Sequence, residues 1–162
     1  MNKVLATLIA AALVALAPTP LRAQGDGPVQ TRLEARKVVR DADGREAFVA
    51  AEAVRPGDVI EYVATYRNTG SAPVRDLEAT LPIPAHTELL AGSARPVGAR
   101  ASLDAREFAA PPLKRTVRRD GRAVEEAIPT REYRYLRWSQ PVLAPNQAVA
   151  FRARVRVADE PK

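Results

Sequence analysis

The chain has 162 residues, no cysteine, a single histidine and a formal net charge of +6. That is the length of one domain and is enough to bury a useful core. The missing cysteine excludes disulfides, thiol redox chemistry, cysteine zinc sites and haem attachment through CxxCH, and one histidine leaves neither HExxH nor an imidazole cluster for a metal.

Taken from the start, residues 1–23 read as a secretory signal peptide. Lys3 supplies the positive start, "VLATLIAAALVALA" the apolar stretch, and "LRA" before Gln24 the small-residue cleavage site. A membrane anchor is the competing reading, but the uncharged run from Val4 to Leu21 is broken by Pro18 and Pro20 and barely reaches a bilayer's thickness. Nothing downstream is long and apolar enough to span. The expectation is therefore an exported chain, periplasmic or secreted, with no transmembrane anchor after processing. Residues 24–30 read as a flexible leader, 31–157 as one β domain and 158–162 as a tail.

Through that domain the dominant period is two. Leu33, Ala35 and Val39 share one face of a first strand, with Lys37 falling on the same side. Ile60, Tyr62, Ala64 and Tyr66 share a face, with Val59, Glu61, Val63, Thr65 and Arg67 opposite; Leu77, Ala79, Leu81 and Ile83 repeat the pattern. The last strand is the clearest, with Val149, Phe151, Ala153, Val155 and Val157 on one side and Arg152, Arg154 and Arg156 on the other. Its register is firm, because a slip of one residue would bury three guanidiniums. Asp43-Gly44 and Asp120-Gly121 are type I′ hairpin signals, since Asp and Gly tolerate positive φ. Pro56-Gly57, Asn68-Thr69-Gly70 and Pro145-Asn146 mark further reversals. The best helical candidate is a turn or two within "ARASLDAREFAAPP", before Pro111. Seven to nine short strands with regular turns make an all-β fold, a two-sheet antiparallel β-sandwich.

The charges are uneven. Gln24 to Pro112 holds 11 basic and 13 acidic residues, Leu113 to Arg156 holds 11 basic and 4 acidic. Arg152, Arg154 and Arg156, joined by Arg134 and Arg137, are the candidate face for an anionic partner. Such a face is also an ordinary way to keep an exported domain soluble. Nucleic acid is not the expected partner, because recognition would interleave aromatics with these arginines and the alternation sends Phe151 to the core. His86 sits in "PAHTE" beside a turn, with no GxSxG in the chain to accompany it. "DADGRE" sets Asp41, Asp43 and Glu46 close together, but a hairpin turn explains it better than a calcium loop of much longer ligand spacing. No phosphate-binding glycine motif is present. The sequence thus nominates no catalytic residue, no metal ligand and no cofactor, and reads as non-enzymatic. Lys37, on the inward parity, needs a partner; an isopeptide to Asn68 or Asn146 is one option, and a stem that packs while the amine reaches solvent is the favoured one.

"VRPGDVIEYVATYRNTGSAPVRDLEATLPIPAHTELLAGSA", Val54 to Ala94, resembles the DUF11 repeat domain of bacterial exported and cell-surface proteins, with its PGD, alternating strand, N-x-G, second strand and Leu-Pro. "YLRWSQPVLAPNQAVAFRARVRV", Tyr135 to Val157, is similar to that family's closing half. The chain departs from the pattern at Asn146, where the family has a turn glycine, and in the longer segment Arg100 to Arg131; it also holds one copy where many members are arrays. The resemblance implies an immunoglobulin-like sandwich used as a structural or adhesive module, and it transfers no catalytic residue. The expected function is a protein-interaction or structural role in the envelope or at the cell surface, with an envelope or surface protein as partner. The alternative is binding of anionic envelope polymers through a basic sheet face.

Overall fold

The computed structural model describes residues 27–158. The expected signal peptide at residues 1–23, residues 24–26 of the expected leader and residues 159–162 of the expected tail lie outside the described residues. Ten strands run in the order β1 (Val29–Arg40), β2 (Glu46–Ala50), β3 (Val59–Asn68), β4 (Val74–Pro82), β5 (Thr87–Leu89), β6 (Arg100–Ser102), β7 (Lys114–Arg119), β8 (Arg122–Ala127), β9 (Tyr135–Leu143) and β10 (Ala148–Val157). Every pairing is antiparallel. They form a five-stranded sheet ordered β2-β1-β3-β10-β5, a three-stranded sheet ordered β4-β9-β6, and a separate β7-β8 ribbon.

The period-two pattern explains how the two larger sheets meet. Ile60, Ala64 and Tyr66 of β3 and Phe151, Ala153 and Val155 of β10 form one wall of the core; Ala79 and Leu81 of β4 and Leu136 and Trp138 of β9 form the other. Between the walls Phe151 meets the Trp138 ring at 5.2 Å and the Tyr66 ring edge-on at 5.8 Å. The indole N–H donates to Pro96 O at 2.8 Å, so the buried aromatic keeps its polar atom satisfied. Asn68, at 0% exposure, secures the end of β3. Its amide donates to Ala72 O and Leu143 O, and its Oδ1 accepts the Gly70 N–H, each at 2.9 Å. A Cβ at Gly70 would come within 2.8 Å of Pro28, which is why that turn needs glycine.

Four local expectations are corrected. Among the described residues the strand count is ten, just above the expected seven to nine, because β5 and β6 are three residues each, too short to show an alternation. Strand β1 begins two residues inside the expected leader, where Val29 pairs with Asn68. Before Pro111 there is no α-helical turn: Ser102 Oγ accepts the N–H groups of Asp104 and Ala105, Asp104 Oδ1 accepts that of Arg106, and an Ala101–Ala109 bridge closes the loop. These side-chain bonds offer the backbone an alternative to the helix. The Asp43-Gly44 reversal has positive φ only at Gly44, with Asp41 N–H donating to Arg45 O, so it is a three-residue loop. Asp120 and Gly121 both have positive φ, as a type I′ turn requires.

Two features of the architecture bear on function. The five-stranded sheet holds two more strands than the three-stranded one, and part of the inward parity on β1 and β2 is left open, with Leu33 52% and Val49 46% exposed. Among the described residues the β7-β8 ribbon, within the long segment Arg100 to Arg131, pairs its strands only with each other beyond a root where Ile128 N–H donates to Leu113 O at 2.8 Å, and Arg115 reaches back to Glu132 at 3.0 Å. Among the described residues no helix is long and apolar enough to cross a membrane.

Candidate functional site

The five arginines read from the sequence do not share one face. Arg152, Arg154 and Arg156 stand on the outer side of the five-stranded sheet, because Phe151, Ala153 and Val155 of the same strand fill the core. Arg137 belongs to the outer side of the three-stranded sheet, on the opposite surface of the sandwich. Its Nε donates to Thr80 Oγ1 at 3.0 Å, and its guanidinium lies 3.7 Å from the centre of the Phe108 ring. Arg134 precedes β9, and its Nη1 is spent on Arg131 O and Tyr133 O. The basic ladder is therefore three arginines of one strand, with Arg134 and Arg137 elsewhere.

Around Arg154 the outer face holds a network that the sequence pattern concealed. The pairing places Arg154 beside Glu61 of β3, and Glu61 beside Arg36 of β1. Glu61 Oε1 accepts Nε and Nη2 of Arg36 at 3.0 and 2.6 Å, and Oε2 accepts Nε of Arg154 at 3.0 Å. Arg154 also grips both oxygens of Glu46 on β2 at 2.8 and 2.9 Å, a two-pronged geometry only a guanidinium supplies. The Arg36 guanidinium lies 3.9 Å from the centre of the Phe48 ring. Glu61 keeps 3% of its surface exposed although its parity is outward; the two arginine stems cover it.

The electrostatics follow from this geometry. Burial pushes the Glu61 carboxyl up, and the hydrogen bonds from Arg36 and Arg154 more than offset it, so the group lies below the ordinary carboxylate range. Glu46 is lowered by its hydrogen bonds from Arg154. Arg154 is raised by Glu46 first and then Glu61, and stays a cation throughout. None of these groups is poised to exchange a proton near neutrality, and the network is a fixed electrostatic scaffold.

Beside it lies a cleft of about 540 Å³ lined by Arg36, Phe48, Glu61, Arg95, Arg152 and Arg154, with Leu90 to Ser93 as one bank. That bank is tied to β10: Leu90 N–H donates to Arg154 O, Ser93 Oγ bonds both Arg154 O and Arg154 N–H, and Arg95 and Arg152 exchange backbone hydrogen bonds. Arg95, Arg36, Glu61 and Phe48 were not nominated from sequence. For Arg36 the signal was present, since it has outward parity on β1; for Arg95 there was none, because it lies outside every named strand.

The other singled-out residues have structural partners. Lys37 Nζ meets Asp58 Oδ2 at 2.6 Å, and that hydrogen bond lowers the Asp58 carboxyl. The amine is thus held by a carboxylate, while Asn68, one isopeptide candidate, has its amide committed to Ala72 and Leu143. His86 is exposed, with φ 58, and its carbonyl accepts Ala158 N–H at 2.8 Å. Among the described residues no group of three or more His, Cys, Asp or Glu is arranged to hold a metal. No protein-family model, curated protein or solved structure matches this chain.

Proposed function

We propose that this chain is an exported, non-enzymatic β-sandwich of immunoglobulin-like, DUF11-like type that engages an envelope or surface protein by strand addition. The observation behind this is the open edge of β1. Val29 to Val38 pair with β3, but only Arg36 to Arg40 pair with β2. Asp41 N–H bonds Arg45 O on the β2 side, and by alternation the backbone groups of Val29, Thr31, Leu33 and Ala35 point to the same, unpaired side. An extended partner segment laid there would receive a ladder of backbone bonds and cover Leu33.

Cross-linking in the native envelope with mass-spectrometric identification tests the reading. Thr31→Pro removes one edge donor without touching the ladder to β3, so it is expected to keep the strand signature by circular dichroism and lose the cross-linked partner. A partner retained at full yield by Thr31→Pro overturns the strand-addition reading. A second reading, binding of anionic envelope polymer through the basic face, is favoured by one specific observation: Arg95 and Arg152 share the cleft with no acidic partner among the described residues.

A further inference from the structure

We infer that the Arg95–Arg152 pair is an oxyanion site, taking one phosphate or carboxylate group at a time from an anionic polymer; this rests on the second reading above. Arg95 and Arg152 form an isolated antiparallel bridge, each backbone N–H donating to the other's carbonyl at 2.8 Å. Directly opposed residues of such a pair carry their side chains on the same face, within about 5.5 Å at Cα. Both side chains therefore leave the same face and line the same cleft, and like charges opposed in this way cost stability unless an anion lies between them.

Among the described residues no acidic side chain bonds either guanidinium. Arg95 Nη1 is anchored on Gly92 O and Ala94 O at 2.7 and 2.8 Å, which fixes the guanidinium and leaves Nε and Nη2 without a partner among the described residues. Arg152 makes no side-chain hydrogen bond or ion pair among the described residues. The carboxylate lining the cleft, Glu61, and its neighbour in the network, Glu46, are already engaged by other arginines. Glu61 accepts three N–H groups and Glu46 accepts two, so neither swings to Arg152 without breaking the network. The lining of the cleft counts Arg36, Arg95, Arg152 and Arg154 against Glu61 alone, and Glu46, bound to Arg154, still leaves two positive charges over. A phosphate or carboxylate offers at least two acceptor oxygens, one for each guanidinium, and the charge-assisted bonds would relieve the opposed cations. Repeating anionic groups along a chain would let neighbouring sites on Arg156 and the polymer's next unit add to the affinity.

The test is an NMR titration of the ¹⁵N-labelled exported chain at fixed ionic strength, reading the Nε–Hε resonances of Arg95 and Arg152. Inorganic phosphate and acetate are the small probes, and polyphosphate and polygalacturonate the polymers; whichever pair binds identifies the source. Saturable shifts at these two resonances are expected, with affinity falling about tenfold or more in Arg152→Ser and unchanged in Arg118→Ser, which removes the same charge from the ribbon. Shifts that never saturate, or an equal loss in Arg118→Ser, overturn the site. Polymer binding that persists unchanged in Arg152→Ser overturns the site while sparing the basic-face reading; no polymer binding at all overturns both.

Discussion

Glu61→Gln is the perturbation that best tests the network at the heart of the outer face. The substitution keeps shape and removes one charge at a position 3% exposed. Three charge-assisted hydrogen bonds end on that carboxylate, and each such bond contributes about 1.5–3 kcal/mol where both partners are desolvated. Here the partners are less buried: the side chains of Arg36 and Arg154 are 38% and 27% exposed, so water recovers part of what is lost. Arg154 also retains Glu46. The net destabilisation is therefore set at the low end of a broken buried pair, about 3 kcal/mol, which for a domain of this size lowers Tm by about 10 °C. The pH dependence isolates the charge. Because the folded-state pKa of Glu61 is depressed, its contribution is fully present above the unfolded-state value of about 4.5 and is lost as pH falls through the folded value. The gap between parent and variant in urea melts at pH 7 is expected to close toward zero at strongly acidic pH, where both carry a neutral side chain. A gap under about 1 kcal/mol at pH 7, or one that stays constant on acidification, would refute the reasoning.

Three further outcomes follow from the same geometry. Asn68→Ala leaves the carbonyls of Ala72 and Leu143 and the N–H of Gly70 without partners at a fully buried position, and is expected to lower unfolding stability by about 2–4 kcal/mol in urea; under 1 kcal/mol would show that water replaces the amide. Replacing residues 115–126 by Gly-Gly, between the paired ends Lys114 and Ala127, should leave a single cooperative melt within a few degrees of the parent, because the bond this segment makes outside the ribbon, Arg115 to Glu132, is a solvent-exposed ion pair of small worth; loss of cooperativity would contradict that. Lys37 should leave the intact mass at the value calculated for the unmodified chain, and a deficit of about one NH₃ on isopeptide formation would overturn the Lys37–Asp58 ion pair as its resting state.

Sequence reading recovered the sheet far better than the site, and particular residues show why. Alternation places Phe151, Ala153 and Val155 inside because burying an arginine is prohibitive, so β10 could be read residue by residue. Alternation says only which side of a strand a residue takes. It does not say which strand lies alongside or which sheet the strand belongs to, so Arg137 was grouped with Arg152 although β9 and β10 are in different sheets. The burial of Glu61 was invisible for the same reason: it depends on Arg36 and Arg154 arriving from strands 25 and 93 residues distant in sequence. The Ser102 turn was missed for a local reason, since Ala and Glu around it favour a helix while one hydroxyl bonded to two backbone N–H groups stops it.

Register also divides the arginines of β10 into two physical kinds, and the division has a functional consequence. Arg154 pairs across to Glu61, and with Glu46 taking two more of its N–H groups it is a strut that holds β2, β1, β3 and β10 together on their outer side. Two residues earlier, the same parity puts Arg152 opposite Val63 on one flank and Arg95 on the other, so its cross-strand neighbours are an apolar group and another cation. Removing Arg154 should therefore cost stability, whereas removing Arg152 should relieve a repulsion and stabilise the free protein slightly. A surface kept only for solubility has no reason to pin Arg95 on two carbonyls facing Arg152, since a freely hydrated side chain keeps more entropy and feels less repulsion. That combination, an inexpensive cation to remove and a neighbour held rigid beside it, is what distinguishes an anion site from a merely basic strand.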